Sequence, residues 1–299
     1  MVAMLERSAL RFVSRTTGAG EMAWRVWPAT RRSSIAIVLV HGSYGSWTHW
    51  LRNIAAWREV GTVLCADVPG FGDSTGAARD SAPDIIGCAL ADGVHACRQA
   101  LHIRATRWIV GGFSLGAVYA GWIARHLADR REPFVPAGLL LVAPGGLGAR
   151  PDRVLPLKRL PAHADARERR EVHRHNLEIV MFGAPGRIDD LAVTLQERNV
   201  ARARHRGPFA PAPDYLLRAL SGTTTPILAI WGDRDAFDPD VTPRVRALLA
   251  VRPDARTHVV AGAGHWLGYE AAAEVNALVA AWVLQVSHSG ITTQVVRPA

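Results

Sequence analysis

Three residues of this 299-residue chain have the types, flanks and order needed for nucleophilic catalysis. Ser114 lies in Gly112-Phe113-Ser114-Leu115-Gly116. That run fits G-x-S-x-G, where a strand turns so sharply into a helix that the serine hydroxyl stands exposed on a strained backbone. A serine hydroxyl is a poor nucleophile until a base takes its proton, and the base needs an orienting acid. Gly262-Ala263-Gly264-His265-Trp266 offers the base, and Gly232-Asp233-Arg234-Asp235 offers two acids. The pentapeptide alone is weak, because a plain strand-to-helix turn would read the same way. Its weight comes from context: an apolar run precedes it, an Ala-rich run follows, and its partners come downstream in the order Ser, Asp, His.

The elements that must position these residues follow from periodicity. Short alternating runs at residues 10–15 and 21–27 flank Thr16-Thr17-Gly18-Ala19-Gly20 and predict an edge hairpin. Residues 34–40, Ser-Ile-Ala-Ile-Val-Leu-Val, are continuously apolar and β-branched, the pattern of a strand covered on both faces. Further strands are predicted at 62–66, 106–110, 137–142, 226–231 and 256–260, and helices at 83–101, 117–129, 243–250 and 269–286. Strands alternating with helices imply an α/β, doubly wound, mostly parallel sheet. In such a sheet the loops bearing Ser114, Asp235 and His265 all emerge at the carboxyl edge, where sites form. Between about residues 145 and 221 the alternation stops, and charged helical patterns at 164–182 and 189–203 take over. This predicts a helical cap at 145–221 inserted into a core of 1–144 and 222–299. The tail, 287–299, is expected to be poorly ordered.

Composition narrows the function classes. The formal charge is +9, from 35 Lys+Arg against 26 Asp+Glu, with Lys158 the one lysine. The basic residues are scattered without interleaved aromatics, so no nucleic-acid partner is expected. No apolar tract is long enough to span a bilayer, and charges break the N-terminal apolar runs, so no membrane partner and a cytoplasmic location are expected. Cys65, Cys88 and Cys97 are too few for a disulfide framework or zinc site and read as core residues. No metal or cofactor is called for. His41 reads as a strand-end residue bonding its own loop, and His173 and His175 as cap residues. Of the ten tryptophans, Trp47, Trp50 and Trp266 sit in or beside the site loops, where they could wall an apolar pocket.

In order, HGSYGSW after the third strand, DVPGFGDS, GFSLG, WGDRD and GAGHW resemble the α/β-hydrolase superfamily across roughly residues 11–286. The resemblance implies an eight-stranded sheet with an inserted lid, Ser114 as nucleophile, His265 as base and Asp235 as acid. It implies an oxyanion hole from the backbone N–H groups of Ser43 and Leu115; Asp233, two residues before Asp235, is the competing acid, and its other role would be to cap the following turn. Within the superfamily, Asn176-Leu177 through Phe182 and Leu195-Gln196-Glu197-Arg198 resemble the cap of carbon–carbon bond hydrolases acting on meta-cleavage products. That places Arg198 on a substrate carboxylate. The chain departs from those enzymes at Ser43-Tyr44-Gly45, where they carry a glycine-rich loop, and at His49, where they carry asparagine. The expected function is therefore a cofactor-independent serine hydrolase acting on a small-molecule carboxylic ester, with His49, Arg198 and Trp266 as candidate substrate contacts. Carbon–carbon hydrolysis of a vinylogous diketone acid, or a non-catalytic ligand receptor, are the alternatives. A homo-oligomer is compatible with the sequence.

Overall fold

The computed structural model describes residues 1–16, 20–76, 82–129, 136–148, 154–204 and 213–288. The chain begins with helix α1 (Val2–Ser8) and the hairpin β1 (Leu10–Thr16) and β2 (Gly20–Trp27). Strand β3 (Ile35–Val40) leads through a 3₁₀ turn (Trp47–Trp50) and the short α2 (Ile54–Trp57) to β4 (Thr62–Ala66) and α3 (Pro83–Ala100). Then come β5 (Arg107–Phe113), α4 (Leu115–Asp129) and β6 (Pro136–Val142). Three helices, α5 (Ala166–Val180), α6 (Asp190–Arg202) and α7 (Tyr215–Leu220), separate β6 from β7 (Ile227–Gly232). The chain closes with α8 (Thr242–Val251), β8 (Arg256–Val260), α9 (Leu267–Glu270) and α10 (Ala272–His288).

The strands form one eight-stranded sheet in the order β1-β2-β4-β3-β5-β6-β7-β8. The β1–β2 and β2–β4 pairings are antiparallel, and β3–β4, β3–β5 and every pairing from β5 to β8 are parallel. The apolar run of β3 explains its central place. Ala36, Val38 and Val40 enter one core beside α3 and α4, while Ile35, Ile37 and Leu39 enter the other beside α10. This is the period-2 division of a strand buried on both faces.

Several boundaries differ from expectation, each for a local reason. Strand β5 continues through Gly111 and Gly112 to Phe113, and α4 starts at Leu115, so Ser114 alone makes the turn. The single helix expected at 269–286 is two, divided at Ala271, whose φ −114° and ψ 37° are not helical. The last helix runs through His288, and the rest of the expected loose tail lies outside the described residues. Helices α1, α2 and α7 were not foreseen, being too short to show a period.

The segment between β6 and β7 starts its two longer helices on aspartates. Asp165 accepts Glu168 N at 2.8 Å and Asp189 accepts Ala192 N at 2.8 Å, filling bonds that a helix N-terminus leaves open. Leu177, Met181, Phe182, Ala192, Val193 and Leu195 then pack into the same apolar cluster as Trp266 and Tyr269. Helix α7 packs instead against α4, where a Cβ on Gly121 would lie 2.6 Å from Leu216 Cδ1. Among the described residues no helix is long and apolar enough to cross a membrane.

Candidate active site

Within Trp108–Gly121, a run buried almost throughout, Ser114 keeps partial exposure. Its φ is +54°, in the left-handed region that costs a non-glycine residue roughly 1–2 kcal/mol. Three hydrogen bonds hold it there: Ser114 N donates to Val142 O at 2.9 Å, and Ser114 O accepts from Ala117 N at 3.1 Å and Gly145 N at 3.2 Å. The flanking glycines are required by close approach. A Cβ on Gly112 would enter the Gly116 carbonyl, and one on Gly116 the Val40 carbonyl.

The turns after β7 and β8 bring His265 and Asp235 together. His265 Nδ1 lies 2.6 Å from Asp235 Oδ2, and both side chains are almost completely buried. Asp235 is itself fixed by Phe237 N, which donates to its Oδ1 at 2.8 Å. Phe113 and Phe237 border the imidazole, with ring centroids 5.0 and 4.7 Å away. Asp233 is exposed and accepts Gly262 N at 2.6 Å, so it ties the turn after β7 to the turn after β8 and does not reach His265. Of the two candidate acids, Asp235 is the one placed against His265, and Asp233 is bonded to a backbone amide.

The loop after β3 wraps around His49. Gly42 N donates to His49 Nδ1 at 3.3 Å, so the ring proton sits on Nε2. Gly45 has no room for a Cβ against the same imidazole. The ring packs against Phe113, Trp266 and His41, with centroids 5.3, 5.2 and 6.1 Å away. Burial, with His41 and His265 nearby, pushes its pKa well below that of an ordinary histidine. His41 likewise donates from Nδ1 to Gly42 O at 2.7 Å and accepts Val68 N on Nε2 at 2.9 Å, as its strand-end reading expected. Among the described residues neither Ser43 N nor Leu115 N has a protein hydrogen-bond partner.

Trp47, Trp50 and Trp266 are each only 1% exposed, so they brace the loops and do not wall an open pocket. Trp266 Nε1 donates to His49 O at 2.9 Å, which makes it a support for the loop after β3. Arg198 departs most from expectation. Its Nη2 points to Glu6 Oε1 at 3.5 Å, within a network where buried Arg25 pairs with Asp67 and Asp73, and Arg202 pairs with Asp73. The guanidinium is engaged by α1 because α6 runs past the N-terminal helix, a meeting of residues 192 positions apart. Its neighbour Asn199 is the α6 residue that reaches the loop after β3, its Oδ1 accepting Ser46 Oγ at 2.8 Å and Thr48 Oγ1 at 3.1 Å. Sequence reasoning missed Asn199, Phe237 and Glu270; the last is the one charged residue of α9, at its end. Among the described residues no group of three or more His, Cys, Asp or Glu is arranged to hold a metal ion.

A left-handed serine at a strand–helix turn, with an Asp-bonded histidine on a neighbouring loop, accompanies a sequence match over residues 37–278 to the model of the alpha/beta hydrolase family. The chain belongs to that family. The hydrolase is 28% identical over 261 residues to a 2-hydroxy-6-oxononadienedioate/2-hydroxy-6-oxononatrienedioate hydrolase of Burkholderia vietnamiensis, covering 82% of this chain and 85% of that protein. It is 27% identical to a 2-hydroxy-6-oxo-6-phenylhexa-2,4-dienoate hydrolase of Burkholderia cepacia, covering 81% and 85%. In structure it resembles carboxylesterase CesB of Bacillus subtilis, with TM-score 0.69 and 18% identity over 97% of this chain and 95% of that one. At that identity the likeness speaks for the fold alone.

Proposed function

We propose that this hydrolase cleaves a small-molecule carboxylic ester by a Ser114–His265–Asp235 relay. The observation that carries the reading is the buried 2.6 Å His265–Asp235 contact on loops adjoining the strained Ser114 turn. Asp235 holds Nδ1 protonated, which leaves Nε2 free to accept the Ser114 proton. Oγ then adds to the ester carbonyl carbon, and the oxygen becomes negative where the Ser43 and Leu115 N–H groups are available. Collapse expels the alcohol, protonated by His265, and leaves an acyl group on Ser114. Water, deprotonated by the same imidazole, releases the acid and restores the hydroxyl.

An ester is favoured over a dienoate because Arg198 is engaged by Glu6 and His49 fills the place where the dienoate enzymes resembled carry asparagine. The names of the curated relatives favour the second reading, carbon–carbon hydrolysis of a vinylogous diketone acid at the same serine. In either reading His49 Nε2–H, unpartnered among the described residues, is the donor offered to substrate, and residues 145–221 form the lid. The scattered arginines, many paired with acids as in Arg170 and Arg174 with Asp190, support a substrate other than nucleic acid.

The test is a fluorophosphonate probe followed by a panel of p-nitrophenyl esters and a dienoate chromophore. Ser114 should label, Ser114→Ala should not, and esters should turn over. Labelling with turnover of the dienoate alone would move the assignment to carbon–carbon cleavage. No labelling of the wild-type protein would end the serine mechanism.

A further inference from the structure

One buried carboxylate fastens the loop that carries His265 to the turn that follows α5. Glu270 is the last residue of α9, and its side chain is 0% exposed. Its Oε2 accepts Gly264 N at 2.7 Å and Gly183 N at 2.9 Å, and its Oε1 accepts Ala184 N at 3.0 Å. Arg187 Nη1 stands 3.9 Å from Oε1. Gly264 directly precedes His265, while Gly183 and Ala184 follow the end of α5 and lead towards α6. A second tie runs beside the first, Trp266 N donating to Met181 O at 2.8 Å. The two backbones are in contact: a Cβ on Gly183 would lie 2.8 Å from Gly264 N and 2.9 Å from Ala263 C.

The chemistry of this junction calls for a carboxylate. Amides from two separate segments converge on one buried point, and an ionised carboxylate can accept them all while donating to none. Glutamine of the same shape cannot. With its oxygen in the Oε2 place it serves Gly264 and Gly183, and its NH₂ group then confronts the Ala184 N–H. Among the described residues neither Ser114 nor His265 is hydrogen-bonded to Glu270, so their own contacts do not account for its burial.

We propose that Glu270 is a positioning residue: it sets the His265 loop against the turn at residues 181–184, so that the placement of the base and of the segment between β6 and β7 are fixed together. The proposal rests on the serine-hydrolase reading, and it concerns activation of Ser114 whatever the substrate. A displacement of the base by about 1 Å is enough to cost on the order of 100-fold in rate.

The experiment measures the second-order rate at which a small alkyl fluorophosphonate labels Ser114, as a function of pH, in the wild type and in Glu270→Gln and Gly183→Ala. The second variant wedges the same junction from the other side and leaves the carboxylate intact. Thermal melts and near-ultraviolet circular dichroism establish that each variant is folded at the assay temperature. The expected result is labelling slower by about tenfold or more in both folded variants, across the pH range in which the wild-type rate is constant. If one variant does not fold, the other carries the test. Folded variants that label at the wild-type rate, even with lowered melting temperatures, would overturn the proposal and reduce Glu270 to a structural tie. A wild-type protein that does not label would refute the serine reading instead.

Discussion

At Asp235 and Asp233 two carboxylates two residues apart take different partners, because only one faces His265. Asp235 is 1% exposed and 2.6 Å from His265 Nδ1, whereas Asp233 is exposed and bonds a backbone amide. Asp235→Asn presents an amide that can leave the imidazole in the wrong tautomer, so kcat should fall on the order of 10⁴-fold. Asp233→Asn keeps an oxygen to accept Gly262 N and removes only an exposed charge, so it should change kcat less than about threefold, in keeping with the small worth of exposed interactions. Steady-state kinetics of both variants on one ester decides the ranking, and the reverse order would move the acid to Asp233. This pair was legible in sequence only through the resemblance, since W-G-D-R-D offers both acids. The Arg198–Glu6 contact was hidden for the opposite reason: Glu6 lies on a helix of seven residues that no periodicity announces.

At the scale of elements, long strands were readable and loops were not. Strand β3 announced itself because both its faces are covered, and the G-x-S-x-G turn because its glycines avoid neighbouring carbonyls. The loop after β3 gave no such signal, although its shape follows from one imidazole accepting Gly42 N. That role has a pH signature. His49 is buried neutral with its pKa depressed below 6.5, while the unfolded chain takes up a proton near 6.5. Below that pH the unfolded state binds more protons, so stability present above about pH 6.5 is lost as pH falls towards the depressed folded value. His49→Asn keeps a polar loop residue but cannot titrate. Its unfolding free energy should fall less than that of the wild type between about pH 7.5 and 5.5, by up to about 1.4 kcal/mol. Parallel urea titrations at the two pH values measure the difference, and equal slopes would mean that His49 is protonated in the fold.

On the scale of the whole molecule, the sheet sends its carboxyl-edge loops to one end and closes both faces with apolar clusters that the strands share between them. The doubly wound, mostly parallel sheet was readable from alternation; its strand order was not. How the segment between β6 and β7 lies on that end was not, because Asp189–Tyr269, Asn199–Ser46 and Glu270–Gly183 join residues 80, 153 and 87 apart. Global stability also carries a record of use at Ser114. A backbone at φ +54° suits glycine, so the serine is kept against the folding preference of its own position. Ser114→Ala removes the hydroxyl and keeps the strained Cβ; Ser114→Gly removes both. The glycine protein should be more stable to urea than the alanine protein by up to about 1.5 kcal/mol, the roughly 1–2 kcal/mol of strain less the roughly 0.5–1 kcal/mol that glycine loses to chain entropy. Both should be inert towards esters. A laboratory lineage of this gene selected for heat resistance, with no demand for turnover, would thus be expected to drift towards glycine at residue 114, and its failure to do so would place the strain elsewhere.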